Sequence, residues 1–174
     1  MEPSEWLGGA KAAQFPLHLM SNQPRTRLHA QMDSGKVSRD SKIQGREPVA
    51  LNPTDAAARG VSDGDVVRIF NDRGATLAGA VVTDDVRPGV IRLATGAWYD
   101  PREPGQVGAL DKHGNPNMLT PDHGTSKLGQ GPVSHTALVD VERFDDALPD
   151  ITAFDPPSVL IETLGSQAFR ESDH

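Results

Sequence analysis

Four polar side chains at alternate positions, Arg25, Arg27, His29 and Gln31, are the first group in this 174-residue chain with the chemistry to hold a ligand. Residues two apart in an extended segment face the same side, so the spacing predicts a polar comb just after a strand end. Arginine forks suit pyrophosphate oxygens, and the imidazole and carboxamide add neutral hydrogen bonds to a polar heterocycle. A solvated loop of ordinary kind accounts for the same spacing. A second group lies between Asn115 and Gly131, where small and polar residues dominate. There Gly124-Thr125-Ser126-Lys127 offers backbone amides, two hydroxyls and one cation to a phosphate, but it lacks the glycine spacing and the Lys-Ser/Thr order of a P-loop. A turn whose hydroxyls cap their own backbone explains it equally well. Trp98 and Tyr99, adjacent at a strand end, either stack on a flat ligand or seal a barrel mouth, and sealing is the commoner use.

Other chemistry finds less support. His113, His123 and His135 with Asp111 and Asp122 match no spacing of a metal-ligand motif, so no metal residue is assigned. No Gly-x-Ser-x-Gly elbow occurs, and no catalytic residue is assigned either. The absence of cysteine excludes disulfides, thiolate metal ligation and cysteine nucleophiles, and leaves the redox compartment open.

The charge of −7 is uneven. From Asp145 to His174 seven acidic residues face one arginine, which is −6, so residues 1–144 carry about −1. Between Phe15 and Arg46, six basic residues face Asp33 and Asp40 alone, a local positive potential suited to an anionic small ligand rather than a duplex. One Tyr, two Trp and five Phe are too few for an extended base-stacking platform, and no nucleic-acid partner is expected. No run approaches the length of a membrane-spanning helix, and the N-terminus lacks the basic-then-apolar order of a signal peptide. The chain reads as soluble, with cytoplasm and periplasm both open.

The elements that must position these groups are short strands. The sequence predicts strands over residues 15–21, 47–51, 66–71, 76–83, 90–94 and 135–142, and a linker over residues 1–14. Asn52-Pro53 reads as an N-cap followed by proline in the first turn of a helix that Gly60 ends, and Ser62-Asp63-Gly64-Asp65 turns the chain into the next strand. Asp72-Arg73-Gly74 reads as a hairpin turn in which glycine supplies positive φ. Residues 25–45 and 96–131 read as long loops, and a loop as long as the latter is usually functional or disordered. Many short strands with one convincing helix argue for a closed or nearly closed β-barrel spanning residues 15–144. The acidic segment 145–174, with Pro149, Pro156 and Pro157, reads as extended or disordered.

The order of these segments resembles the C-terminal cofactor-binding domain of molybdopterin oxidoreductases of the dimethyl sulfoxide reductase family, most nearly the biotin sulfoxide and trimethylamine N-oxide reductases. Arg27-Leu28-His29-Ala30-Gln31 resembles the family's Arg-Leu-His-Ser-Gln segment, with Ala30 in place of serine. Glu47-Pro48 through Asp65 resembles its Glu-Pro, Asn-Pro-x-Asp-Ala-Ala and Gly-Ile-x-Asp-Gly-Asp run. Val66 to Gly74, Gly96 to Pro101 and Asn117 to Gln130 follow in the family's order, and Pro132-Val133-Ser134 replaces a stretch the family varies. The resemblance implies a mainly β fold, a double-psi β-barrel of the aspartate-decarboxylase-like type with one or two short helices, packed over a bis(molybdopterin guanine dinucleotide) molybdenum cofactor.

Carried over residue by residue, Asn22, Arg27, His29 and Gln31 would line one side of the pterin and pyrophosphate. Asn117, Gly124, Thr125, Ser126 and Gln130 would line the other, with Trp98 near the cofactor. The metal-holding residue and the substrate funnel of such enzymes lie in other domains, so the resemblance implies a non-catalytic domain partnered by the rest of a reductase of S- or N-oxides. Two readings of other classes stand beside it: a free-standing barrel acting as a protein-interaction module, and a self-processing decarboxylase cut at Gly165-Ser166.

Overall fold

Period-two alternation sends Leu17 and Leu19, Val49 and Leu51, Val67 and Ile69, Ala78 and Ala80, Ile91 and Leu93, and Ala137, Val139 and Val141 to the same side of their strands, where they form the core. The computed structural model describes residues 5–133 and 135–156. Its strands are β1 (Leu17–Met20), β2 (Pro48–Leu51), β3 (Val66–Phe70), β4 (Ala75–Val82), β5 (Val90–Leu93) and β6 (Ala137–Arg143). They close into a barrel in the order β1-β5-β2-β4-β3-β6. The pairs β1/β5 and β2/β4 are parallel and the rest are antiparallel, so the chain crosses over between non-adjacent strands in two places. This is the double-psi barrel expected from the resemblance. Closure leaves no exposed edge strand, which lets strands of four residues persist.

Each mouth of the barrel is stopped by a local structure that the sequence specifies. Helix α2 (Pro53–Ala58) closes one mouth and contributes Ala56 to the core, with Val61 just beyond it. Its N-terminus forms as expected: Asn52 Oδ1 accepts from Thr54 N–H at 2.9 Å, and Pro53 stands where a missing N–H costs nothing. The Asn52 carboxamide also donates to the Val86 carbonyl at 2.8 Å, tying the helix to the turn before β5. Gly60 takes φ of 63° and ends the helix. At the other mouth the 3-10 turn Pro116–Met118 delivers the fully buried Leu119.

Two local expectations need correction. The β3–β4 turn forms, but Gly74 has no left-handed φ; the turn is closed by Asn71, whose Oδ1 accepts from Arg73 N–H at 3.0 Å and whose N–H donates to the Gly74 carbonyl at 3.0 Å. Glycine is favoured there because a Cβ would stand 3.0 Å from the Met118 carbonyl oxygen, a tight contact. Within the loop expected over residues 25–45 lies a helix, α1 (Lys36–Asp40), too short to show an apolar period. It is held from inside by Ser38, whose hydroxyl donates to Asp33 at 2.9 Å.

Strand direction decides where the loops go. Since β6 runs antiparallel to β1 and β5 runs parallel to it, the C-terminal ends of β1 and β5 and the N-terminal end of β6 share one mouth of the barrel. The β3–β4 turn is at that mouth too, because β3 pairs antiparallel with β6. Among the described residues no helix is long and apolar enough to cross a membrane.

Replacing Asn52 removes both a cap and a buried carboxamide that serves a carbonyl. Asn52→Ala is expected to lose about 1–3 kcal/mol, read as a lower urea midpoint with an unchanged slope.

Candidate functional site

Three segments of two connections gather at the mouth closed by Leu119: residues 21–35 after β1, and residues 94–115 and 116–136, which together join β5 to β6. Stitches between them are specific. Thr95 N–H donates to the Asn22 carbonyl at 2.9 Å, and Trp98 Nε1 donates to the Ala30 carbonyl at 2.8 Å. Ser21 N–H donates to His135 Nδ1 at 3.3 Å, joining the end of β1 to the approach to β6. Gly96, at φ of 92°, packs directly on the His29 carbonyl, where any Cβ would overlap backbone. The first two segments are therefore one surface. The segment 124–131 is bonded chiefly within itself, through Thr125 N–H to the Gly131 carbonyl at 2.9 Å and Gln130 Nε2 to the Ser126 carbonyl at 3.1 Å.

The expected comb does not form. Its segment folds into tight turns, with Gln31 N–H donating to the Leu28 carbonyl at 2.9 Å and His29 at φ of 49°, so alternate side chains diverge. Arg27 points inward with its side chain fully buried. Its guanidinium lies 3.0 Å from Glu47 Oε2 and donates to Ser38 Oγ at 3.1 Å, to the Thr95 carbonyl at 2.9 Å and to the His29 carbonyl at 3.2 Å. Lys42 lies beside it, 2.9 Å from Asp33 Oδ1 and 3.0 Å from Glu47 Oε2. Two cations face two carboxylates away from water. In such a cluster the net gain is small, but losing one member strands the others.

Buried carboxylates also order the loop after β5. Asp111, fully buried, accepts from the N–H groups of Asp100, Gly114 and Asn115 at 2.8, 2.9 and 2.7 Å. Asp33 Oδ2 accepts from Trp98 N–H at 2.9 Å. His113, also fully buried, donates Nδ1–H to the Trp98 carbonyl at 2.9 Å, which makes the neutral Nδ1–H tautomer the fitting one; its Nε2 has no partner among the described residues. Burial, assisted by the Lys42 charge, pushes the His113 imidazole below its ordinary 6.5. Burial alone would raise the Asp33 and Asp100 carboxyls, but it is outweighed. Trp98 N–H, Lys42 and Ser38 hold Asp33 below its ordinary value, and Thr152 and Lys112 do the same for Asp100.

The residues singled out in the sequence distribute as follows. Arg27 is buried, and Asn22 is half-buried with Oδ1 enclosed and unpartnered among the described residues. His29 and Gln31 are exposed on the turn, and Gln23 grips His29 by both ends, its Oε1 accepting from His29 N–H at 3.0 Å and its Nε2 meeting His29 Nδ1 at 2.8 Å. Trp98 keeps 38% of its surface. Asn117, Thr125, Ser126 and Gln130 are exposed and Gly124 is partly so. All leave from one mouth, yet hydrogen bonds join the first loop to Trp98 and not to residues 124–130. His123 Nδ1 meets the Gly124 carbonyl at 3.2 Å, and among the described residues no three His, Asp or Glu side chains gather as a metal would require.

The burial of Asp33, Lys42, Glu47, Asp100, Asp111 and His113 escaped the sequence reading, in which Asp111 and His113 figured only as metal candidates set aside. No local pattern marks a charge as buried. The one available signal was Glu47 standing directly before an apolar strand.

Arg27→Ala is expected to cost about 3–5 kcal/mol by stranding Asp33 and Glu47, whereas Gln31→Ala should stay within about 0.5 kcal/mol; urea unfolding separates the two. His113, Asp33 and Asp100 all bind protons less readily folded than unfolded, so acid withdraws their stability. The contribution is full above the ordinary imidazole value of 6.5, declines below it through His113, and declines further below 3.8 as the two carboxyls approach their lowered folded values. Unfolding midpoints measured against pH should show both steps, with His113→Gln abolishing the upper one alone.

The family model described as Molydopterin dinucleotide binding domain matches residues 17–138. The dimethyl sulfoxide/trimethylamine N-oxide reductase of Cereibacter sphaeroides is 50% identical over 157 residues, which are 90% of this chain and 19% of that protein. The trimethylamine-N-oxide reductase of Salmonella typhi is 48% identical over 155 residues, 88% of this chain and 18% of that protein. The chain thus spans about a fifth of the length of the curated relatives it matches. Among solved structures, acetylene hydratase from Pelobacter acetylenicus superposes with a TM-score of 0.62 at 18% identity, covering 78% of this chain and 19% of that one, a likeness of fold. A barrel of this topology, with its loops gathered at one mouth and a family match across five strands and the start of the sixth, belongs to the molydopterin dinucleotide binding domain family.

Proposed function

We propose that the loop-bearing mouth holds the guanine dinucleotide of a bis(molybdopterin guanine dinucleotide) molybdenum cofactor. The carrying observation is that strand direction delivers residues 22–31, 95–98 and 117–130 to the same mouth, although they are far apart in sequence. The donor set fits such a group. Residues 22–31 and 123–131 contain no Asp or Glu and include Arg25, Arg27 and Lys127, in a chain of net charge −7. Across residues 117–130 an anionic pyrophosphate meets a single carboxylate, Asp122, and the enclosed Asn22 Oδ1 is an acceptor without a donor among the described residues.

In this reading His29, Gln31, Asn117, Thr125, Ser126 and Gln130 offer exposed donors and acceptors, Gly124 allows close backbone approach, and Trp98 supplies an aromatic surface. Arg27 contributes from beneath, by fixing the Thr95 and His29 carbonyls that shape the loop. The cofactor would supply the redox chemistry, and this chain would bind and orient it without a catalytic residue of its own. The relatives' names support a parent enzyme that reduces S- or N-oxides, with this domain working against the remainder of that enzyme. Exposed apolar side chains beside the site, Leu28 and Met32 on the turn and Val37 on α1, support packing against further protein. The same side chains favour the interaction-module reading, which needs no nucleotide. The decarboxylase reading depends on Gly165-Ser166, outside the described residues.

Guanosine diphosphate, which carries the guanine, ribose and pyrophosphate of the cofactor, discriminates. Titrated into the isotope-labelled chain, it should shift amide signals of residues 22–31, 95–98 and 117–130, with Ser126→Ala and Gln130→Ala each weakening binding about tenfold, roughly 1.4 kcal/mol, at unchanged stability. Affinity will be modest, since half of a divided site binds alone. Unmoved loops at millimolar nucleotide would remove the reading.

A further inference from the structure

The chain does not leave the barrel after β6. Residues 145–156, beyond the family match, form an irregular strap that returns to the loop carrying Trp98. Three fixings hold it. Arg46 donates to the Pro149 carbonyl at 2.7 Å, and Ile151 lies against Gly45, where an added Cβ would come within 3.2 Å of its Cγ1. Thr152 donates its N–H and hydroxyl to the two oxygens of Asp100 at 2.7 and 2.6 Å, while Lys112 donates to the Thr152 hydroxyl at 2.9 Å.

Those fixings deliver one aromatic ring. Phe154 stands 5.6 Å from the Trp98 ring at 59° and 5.0 Å from His113 at 87°, with the Arg39 guanidinium 5.4 Å from its centroid. Trp98 is thereby held at four points: its N–H by Asp33, its carbonyl by His113, its indole N–H by the Ala30 carbonyl, and its ring by Phe154. The first three fix the backbone and the indole nitrogen. Among the described residues, the strap alone brings a second aromatic ring against the indole.

We propose that Phe154 is a positioning residue for Trp98, acting from outside the barrel to set the pose of the indole that the cofactor meets. The consequence for the cofactor rests on the binding reading above; the grip on Trp98 does not. Ring-to-ring contact, supported by a cation over the far ring, favours one orientation of a side chain that still keeps part of its surface open.

The test uses the full chain carrying Trp6→Phe, so that Trp98 is the sole tryptophan. Phe154→Ala should shift Trp98 emission to longer wavelength, raise acrylamide quenching at least about twofold and flatten its near-ultraviolet dichroism. Phe154→Tyr should restore all three signals. Guanosine diphosphate affinity should fall about fivefold in Phe154→Ala and recover in Phe154→Tyr. Unaltered Trp98 spectra in Phe154→Ala, with the far-ultraviolet spectrum showing a folded barrel, would overturn the proposal. Should Phe154→Ala unfold the chain, Phe154→Leu keeps the bulk without the aromatic face, and native Trp98 spectra in that folded variant would overturn it as well. Altered spectra together with no nucleotide binding by the parent chain would leave the grip established and sink the cofactor reading instead.

Discussion

The irregular backbone between Gly96 and Asn115 covers one mouth of the barrel; Asp111 N–H reaches the Ala75 carbonyl of β4, but other buried N–H groups need acceptors that no strand or helix supplies. Asp33 and Asp111 supply them. Each carboxylate accepts from amides far from its own neighbours or from several at once, and so replaces a ladder of secondary-structure bonds. Everything at this mouth depends on that substitution, including the position of Trp98 and the approach of Gly96 to His29.

Taking carboxylates out of water has a cost that amide donors relieve at Asp111 and that pairing relieves elsewhere. Arg27 and Lys42 relieve it at Asp33 and Glu47, and Lys112 at Asp100. The cations needed to bury the anions are then unavailable to a ligand. The positive character of residues 15–46 is partly spent inside, and the exposed loops are left polar rather than strongly basic, with Glu103 and Asp122 among their side chains. Such a surface suits a bound dinucleotide, which needs many oriented hydrogen bonds and modest charge, more than a polyanion.

The scaffold beneath is simple by comparison. Small alanines from β4 and β6 allow strands to close tightly around Leu and Ile from β1, β2, β3 and β5, and α2 and Leu119 stop the two mouths. Because the barrel closes on itself, its loops can be long without loosening it. The strap after β6 shows that the boundary at residue 144, drawn from composition, separates sequence styles more than it separates contacts: Arg46, Asp100 and Lys112 all reach across it.

Much of this was legible in the sequence. All six strands, the Asn52 cap, the Gly60 stop and the order of the long loops were readable, because alternation, capping and turn chemistry are decided by residues within a few positions of one another. The direction of Arg27 was not. Its spacing with Arg25, His29 and Gln31 fits an exposed comb, and what turns it inward is Glu47, Ser38 and Thr95, partners 20, 11 and 68 residues away. Gly74 repeats the lesson, favoured by the close Met118 carbonyl rather than by its own φ. The sequence by itself determined where strands, caps and turns fall; the tertiary structure decided which charges are buried and which glycines are close contacts, since both depend on atoms that only folding brings near.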